Sequence, residues 1–174
     1  MTAYVAFLRG VNLGKRQMQM AELKACLEAA GYTDVKTILA SGNVRFTAAS
    51  GTDLKPKLDT LLSVKFDFNV EIVLRSVDAL RAIIASAPFA AVPEDADVKL
   101  YTAFIDPPFA TPPVLTGIKG DYDIARVDPA EVHLVAHRLS NGRYGEGLDK
   151  FERQLPKTGL VTTRNWNTVQ KSVA

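Results

Sequence analysis

The sequence predicts an α+β protein made of a ferredoxin-like βαββαβ half and a second, related βαββα-like half. Three observations predict this. Over residues 4–86, strand-like and helix-periodic runs follow the order β-α-β-β-α-β plus one helix, which is the ferredoxin-like order. Residues 89–97 are rich in Ala, Pro and acid and read as a linker. From Leu100 onward the order partly repeats, as a structural duplication would, though without a close sequence repeat. The expected boundaries are residues 1–88, a linker over 89–97, and a second α+β subdomain with a C-terminal helix over 98–174.

Each element has a local reason. Residues 4–8, Tyr-Val-Ala-Phe-Leu, contain no polar break, as in a central strand covered on both faces. Residues 20–30 place Leu23, Leu27 and Ala30 on one helical stripe, and Gly31 is the stop signal. Residues 35–39 and 44–47 form two strands about the turn Ser41-Gly42-Asn43. Leu54, Leu58, Leu61 and Leu62 mark a helix over 52–65, capped by Thr52 or Asp53. Val70, Ile72 and Leu74 alternate as a strand, and Ser76 caps a helix that Pro88 ends.

In the second half, residues 100–105 are strand-like. The Pro-rich run 107–113 leads to a short helix or turn near Gly117. Residues 122–127 and 132–137 form a hairpin about Asp128-Pro129-Ala130. A short helix is expected over 147–155, and a last helix from Asn165 onward.

Composition bounds the function classes. The 174 residues are 47% hydrophobic and 23% charged, with net charge +2, as in an ordinary globular protein. That charge permits acidic partners without demanding nucleic acid. The single Cys26 excludes an internal disulfide and a cysteine-based zinc site, and fits a cytoplasmic setting. No apolar run reaches about 18 residues, so no membrane partner or span is expected.

Three ordered motifs resemble a known family. They are residues 4–14 (Tyr-Val-Ala-Phe-Leu-Arg-Gly-Val-Asn-Leu-Gly), residues 31–37 running into Ser41-Gly42-Asn43-Val44, and residues 163–169 (Thr-Arg-Asn-Trp-Asn-Thr-Val). Together they resemble the bacterial domain-of-unknown-function family numbered sixteen-ninety-seven, over nearly the whole chain. The resemblance implies an α+β fold with a ferredoxin-like part and a second, related part. It implies no activity. One departure is that Lys15-Arg16 follow Gly14, where the family often has a second glycine.

The same segments supply the candidate site. Arg9, Gly10, Asn12, Gly14 and Lys15 form a glycine-bearing basic loop between a strand and a helix, a recipe for holding an anion. The alternative is that the glycines serve only the turn and the basic side chains are solvated. The loop is not a P-loop: Arg9 stands where the first glycine is required, and Arg16 where a hydroxyl residue is required. Ser41, Gly42 and Asn43 suit a hairpin turn for local reasons. If the first and third strands are antiparallel neighbours, Arg9 and Asn43 come to the same sheet end.

Arg164, Asn165, Asn167 and Thr168 offer a guanidinium and amides to a planar or anionic ligand, or simply cap a helix whose Trp166 docks in the core. The expectation is a small anionic or phosphorylated ligand held in a cleft between the halves. A nucleic-acid-binding module and a purely structural or oligomerisation role are the alternatives. No cofactor and no oligomeric state follow from the residues. His133 and His137 lie roughly 13 Å apart on a strand, at about 3.3 Å per residue, too far for one metal. They read as exposed or hairpin-facing. No Ser-His-Asp set is evident.

Overall fold

The computed structural model describes residues 1–12, 14–39 and 42–174. They divide into two compact units, Met1–Ala82 with Lys171–Ala174, and Ile83–Gln170.

The first unit contains β1 (Thr2–Arg9), α1 (Met20–Ala29), β2 (Thr33–Thr37), β3 (Asn43–Ala48), α2 (Leu54–Phe66), β4 (Glu71–Ser76) and the start of α3 (Val77–Ala85). Its sheet has the order β2-β3-β1-β4, with every pairing antiparallel. The unbroken apolar run of β1 is explained by this central place: Val5, Ala6, Phe7 and Leu8 are all buried. Ala6 and Leu8 share one core with Leu23 and Leu27 of α1, Leu54, Leu58 and Leu62 of α2, and Val44, Phe46 and Ile72. Each such fully buried Leu, Ile or Phe contributes roughly 1.5–3 kcal/mol. Phe46 is gripped by Tyr4 and Tyr32, with ring centroids 6.0 and 5.2 Å away.

Gly31 ends α1 at φ +94, a conformation that side-chain-bearing residues rarely adopt. Ser76 caps α3 as expected, its Oγ accepting from the Ala79 N–H at 3.1 Å. The expected cap of α2 needs correction. Asp53 sits at the N-cap without a side-chain cap bond, because its carboxylate pairs with Lys57 one turn on.

The second unit contains β5 (Val98–Asp106), β6 (Tyr122–Val127), β7 (Glu131–His137), a 3-10 helix (Leu148–Gln154), β8 (Leu160–Asn165) and most of α4 (Trp166–Ser172). Its sheet order is β6-β7-β5-β8, again antiparallel. β8 is a strand that the sequence reading lacks. Val161, Thr162 and Thr163 are β-branched and favour a strand, but the run is short and leads straight into the helix-capping signal at Asn165. It becomes a strand because Val161 to Asn165 pair with Ile105 to Tyr101 of β5. The prolines of residues 107–113 lack N–H donors and the segment runs as bends and irregular chain to a turn at residues 119–120, with no helix. One face of this sheet packs Ala103, Ile105, Val132 and Leu134 with Tyr122, Phe151 and Leu155.

Candidate anion-binding site

The loop after β1 is built on two buried anchors. Val11 and Met18 insert into the first unit's core, and the Asn12 Oδ1 accepts from the Met18 N–H at 3.1 Å. Gly10 and Gly14 take left-handed φ values of 69 and 57, which lets the chain turn just before Val11 and again between the anchors. No atom lies within 4 Å of a Cβ built on Gly14, so its backbone conformation, not crowding, calls for glycine. Gly14, Lys15, Arg16 and Gln17 are left exposed. Helix α1 starts only at Met20, and its N-cap Gln19 makes no side-chain cap bond.

Arg9 and Asn43 come to one end of the sheet. Phe7 is in register with Asn43, and the Leu8 N–H donates to the Gly42 oxygen at 2.7 Å. Arg9, two residues beyond Phe7, therefore projects on the same face as Asn43. Arg9 is exposed, whereas Asn43 is buried and its Nδ2 donates to the Ile38 oxygen at 3.2 Å, closing the β2–β3 turn. Ser41 lies outside the described residues.

The loop lines a depression that the motif reading did not anticipate. Lys15, Arg16 and Gln17 face Phe66, Asp67 and Phe68 around a cavity of about 510 Å³. Asp67 ends α2 in the left-handed region at φ 58, so the chain turns sharply between two phenylalanines. Their ring centroids are 6.4 Å apart, and both rings rest partly on the core. The Arg16 guanidinium carbon lies 5.3 Å from the Phe68 centroid, a cation–π contact. Of the expected site residues only Lys15 lines this cavity. Arg16 enters the sequence reading beside Lys15, as part of a basic loop or as a solvated side chain, and Phe66 and Phe68 lie some fifty positions further along. An aromatic–acid–aromatic triplet at a helix end was the available signal.

In the second unit, Arg164 and Asn165 lie on β8, and Asn167 and Thr168 on α4. The Asn165 Oδ1 accepts from the Asn167 N–H at 2.9 Å, so these two residues perform the capping role. Trp166 stacks edge-on with Phe89 at 5.1 Å and His133 at 6.2 Å, a packing role within the unit. Thr168 is buried. Arg164 donates to the Thr162 Oγ1 at 2.7 Å and to the Thr163 oxygen at 3.1 Å. Burial pushes its pKa down to about 10, which still leaves a cation at neutral pH.

Arg164 is paired with Thr102 in the β5–β8 register, next to a polar chain absent from the sequence reading. Thr102 Oγ1 lies 2.9 Å from His133 Nδ1, and His133 Nε2 lies 3.1 Å from Asp128 Oδ2. A carboxylate only accepts, so Nε2 carries the proton and Nδ1 accepts from the threonine hydroxyl. Arg126 clamps the same Asp128 oxygen through Nε and Nη2 at 3.0 and 2.8 Å.

The linkage of hydroxyl, imidazole and carboxylate has the order of a catalytic triad. Thr102 and His133 are nevertheless 0% exposed, so the hydroxyl has no path to a substrate. Of the two expectations for His133, exposure is corrected, whereas its bond to Asp128 does turn it toward the hairpin. Desolvation lowers its pKa, against the opposing pull of Asp128. His137 does pair across the hairpin, its Nε2 2.6 Å from Asp123 Oδ2. Asp121 turns instead to the Gly147 N–H, which both its oxygens approach at 3.0 Å.

Among the described residues, no three His, Cys, Asp or Glu side chains come together to hold a metal ion. Nor is any helix long and apolar enough to cross a membrane.

No curated protein matches the chain in sequence. A solved structure, that of the conserved bacterial protein SP0830 from Streptococcus pneumoniae, matches with a TM-score of 0.70 at 22% identity, covering 99% of this chain and 97% of that one. At that identity the likeness speaks for the fold alone. The model of the family described as "Protein of unknown function (DUF1697)" matches residues 1–133, well over half of the sequence, and the chain belongs to that family.

Proposed function

We propose that the protein binds a small anionic, phosphate-bearing ligand at the basic loop of its first unit. The observation that supports this is the cavity of about 510 Å³ into which Lys15 and Arg16 project beside the Gln17 amide. Two cations and an amide at the rim of one concavity supply charge and hydrogen-bond donors to a phosphate. Charge and donor groups of this kind support binding of the anion. Arg9, the half-buried Gly10 and the exposed Gly14 extend the same polar end of the unit. In the second unit we carry forward Arg164, a cation that burial has stripped of much of its hydration.

The test is a titration of the full chain with ribose 5-phosphate, followed by amide chemical shifts. Binding should move the signals of residues 14–17 and 66–68, and Lys15→Gln should weaken it about tenfold. A titration without saturable shifts in either segment overturns the reading.

A further inference from the structure

We infer that the ligand of this cavity is a mononucleotide, its base lying against the phenylalanine pair and its phosphate on Lys15 and Arg16. This rests on the anion-binding reading and deepens it. A site for a bare phosphate would need only cations and N–H donors. This cavity has two rings besides, Phe66 and Phe68, brought together across the left-handed Asp67 and seated on the core. Rings held in that way offer a stacking surface at little entropic cost. Arg16 already lies over Phe68, and a guanidinium plane is itself a platform on which a base can stack.

Asp67 lines the same cavity. Its carboxylate repels a phosphate placed close to it and accepts from hydroxyl or amino groups. The lining thus draws its cations from residues 15–16 and an acceptor between two rings from residues 66–68, with Arg16 meeting the ring wall at Phe68. A nucleotide has the matching groups: an anion at one end, and a flat ring with sugar hydroxyls or an exocyclic amine at the other. The volume of about 510 Å³ holds one nucleotide rather than a strand.

The experiment compares adenosine monophosphate, ribose 5-phosphate and adenosine by calorimetric titration of the full chain. Adenosine monophosphate should bind about tenfold more tightly than ribose 5-phosphate, and adenosine more weakly than either. Phe68→Leu should bring the nucleotide down to the level of the sugar phosphate and leave the sugar phosphate unchanged. Arg16→Gln, which leaves the core untouched, should weaken both phosphates. Equal affinity of the nucleotide and ribose 5-phosphate for the native protein overturns the mononucleotide assignment while the anion-binding reading stands. Failure of both phosphates to bind overturns both.

Discussion

The two units reach one strand order with different fillings. In the first, β2-β3-β1-β4 is covered on one face by α1 and α2, and the core there is apolar throughout. In the second, β6-β7-β5-β8 lacks an α-helix on the connections between its strands and has prolines and a 3-10 helix in their place. The second unit also buries a hydrogen-bonded chain from Thr102 through His133 to Asp128 and Arg126. Strand order is thus set by the register of the paired strands, and the covering layer is free to vary. An apolar filling is forgiving of shape changes, whereas a polar chain must be satisfied at every member or it costs stability.

The contrast can be broken most forcefully in the apolar unit. Phe46→Ala removes a fully buried ring held between two tyrosines and should cost about 3–5 kcal/mol in urea denaturation. Nothing in this effect should depend on pH between 5 and 8.

His133→Ala is the counterpart in the polar unit. At pH 7.5 it should cost about 1–3 kcal/mol, because Thr102 and Asp128 lose their shared partner. Its pH dependence follows from the lowered pKa of His133. Below its ordinary value near 6.5, the unfolded chain takes up a proton that the folded protein resists, so the native protein loses stability as pH falls. The variant lacks that term, and the cost of the substitution should shrink from pH 7.5 to pH 5.5. A cost that stays constant over that range would mean that burial does not hold His133 neutral.

The smallest effect concerns what the units share. In each, a helix follows the last strand without a loop, at Ser76 and at Asn165, and the side chain at the junction accepts a helix N–H. Ser76→Ala and Asn165→Ala should each cost about 1 kcal/mol. A marked inequality between them would show that the repeated junction is not a repeated energetic device.

What could be read from the residues follows the range of the forces involved. The central β1, the Ser76 cap, the Gly31 stop and the 122–137 hairpin are written in adjacent residues, and all are present. β8 escapes such a reading although Val161, Thr162 and Thr163 are β-branched, because the capping signal at Asn165 dominates that stretch and its partner β5 is distant in sequence. Asn165 is a sound capping signal, but it marks the end of a strand as well as the start of a helix. His133 alternates with Val132 and Leu134, which suggests an exposed face. Phe89 and Trp166, distant in sequence, cover it. In the site, the loop could be read because glycine and charge are local features. Its aromatic wall at Phe66 and Phe68 could not, because only folding brings it there.

The first unit is not contiguous along the chain. Arg45 donates to the main-chain oxygens of Ser172 and Ala174 at 3.4 and 3.0 Å, and Arg81 to that of Val173 at 3.4 Å. During synthesis, the amino-terminal portion therefore waits for partners that leave the ribosome after all of residues 83–170. A fragment ending at Ala82 would leave Arg45 without these main-chain acceptors and Arg81 with its Asp78 contact alone, so the earlier-born unit closes only after residues 83–170 have been made.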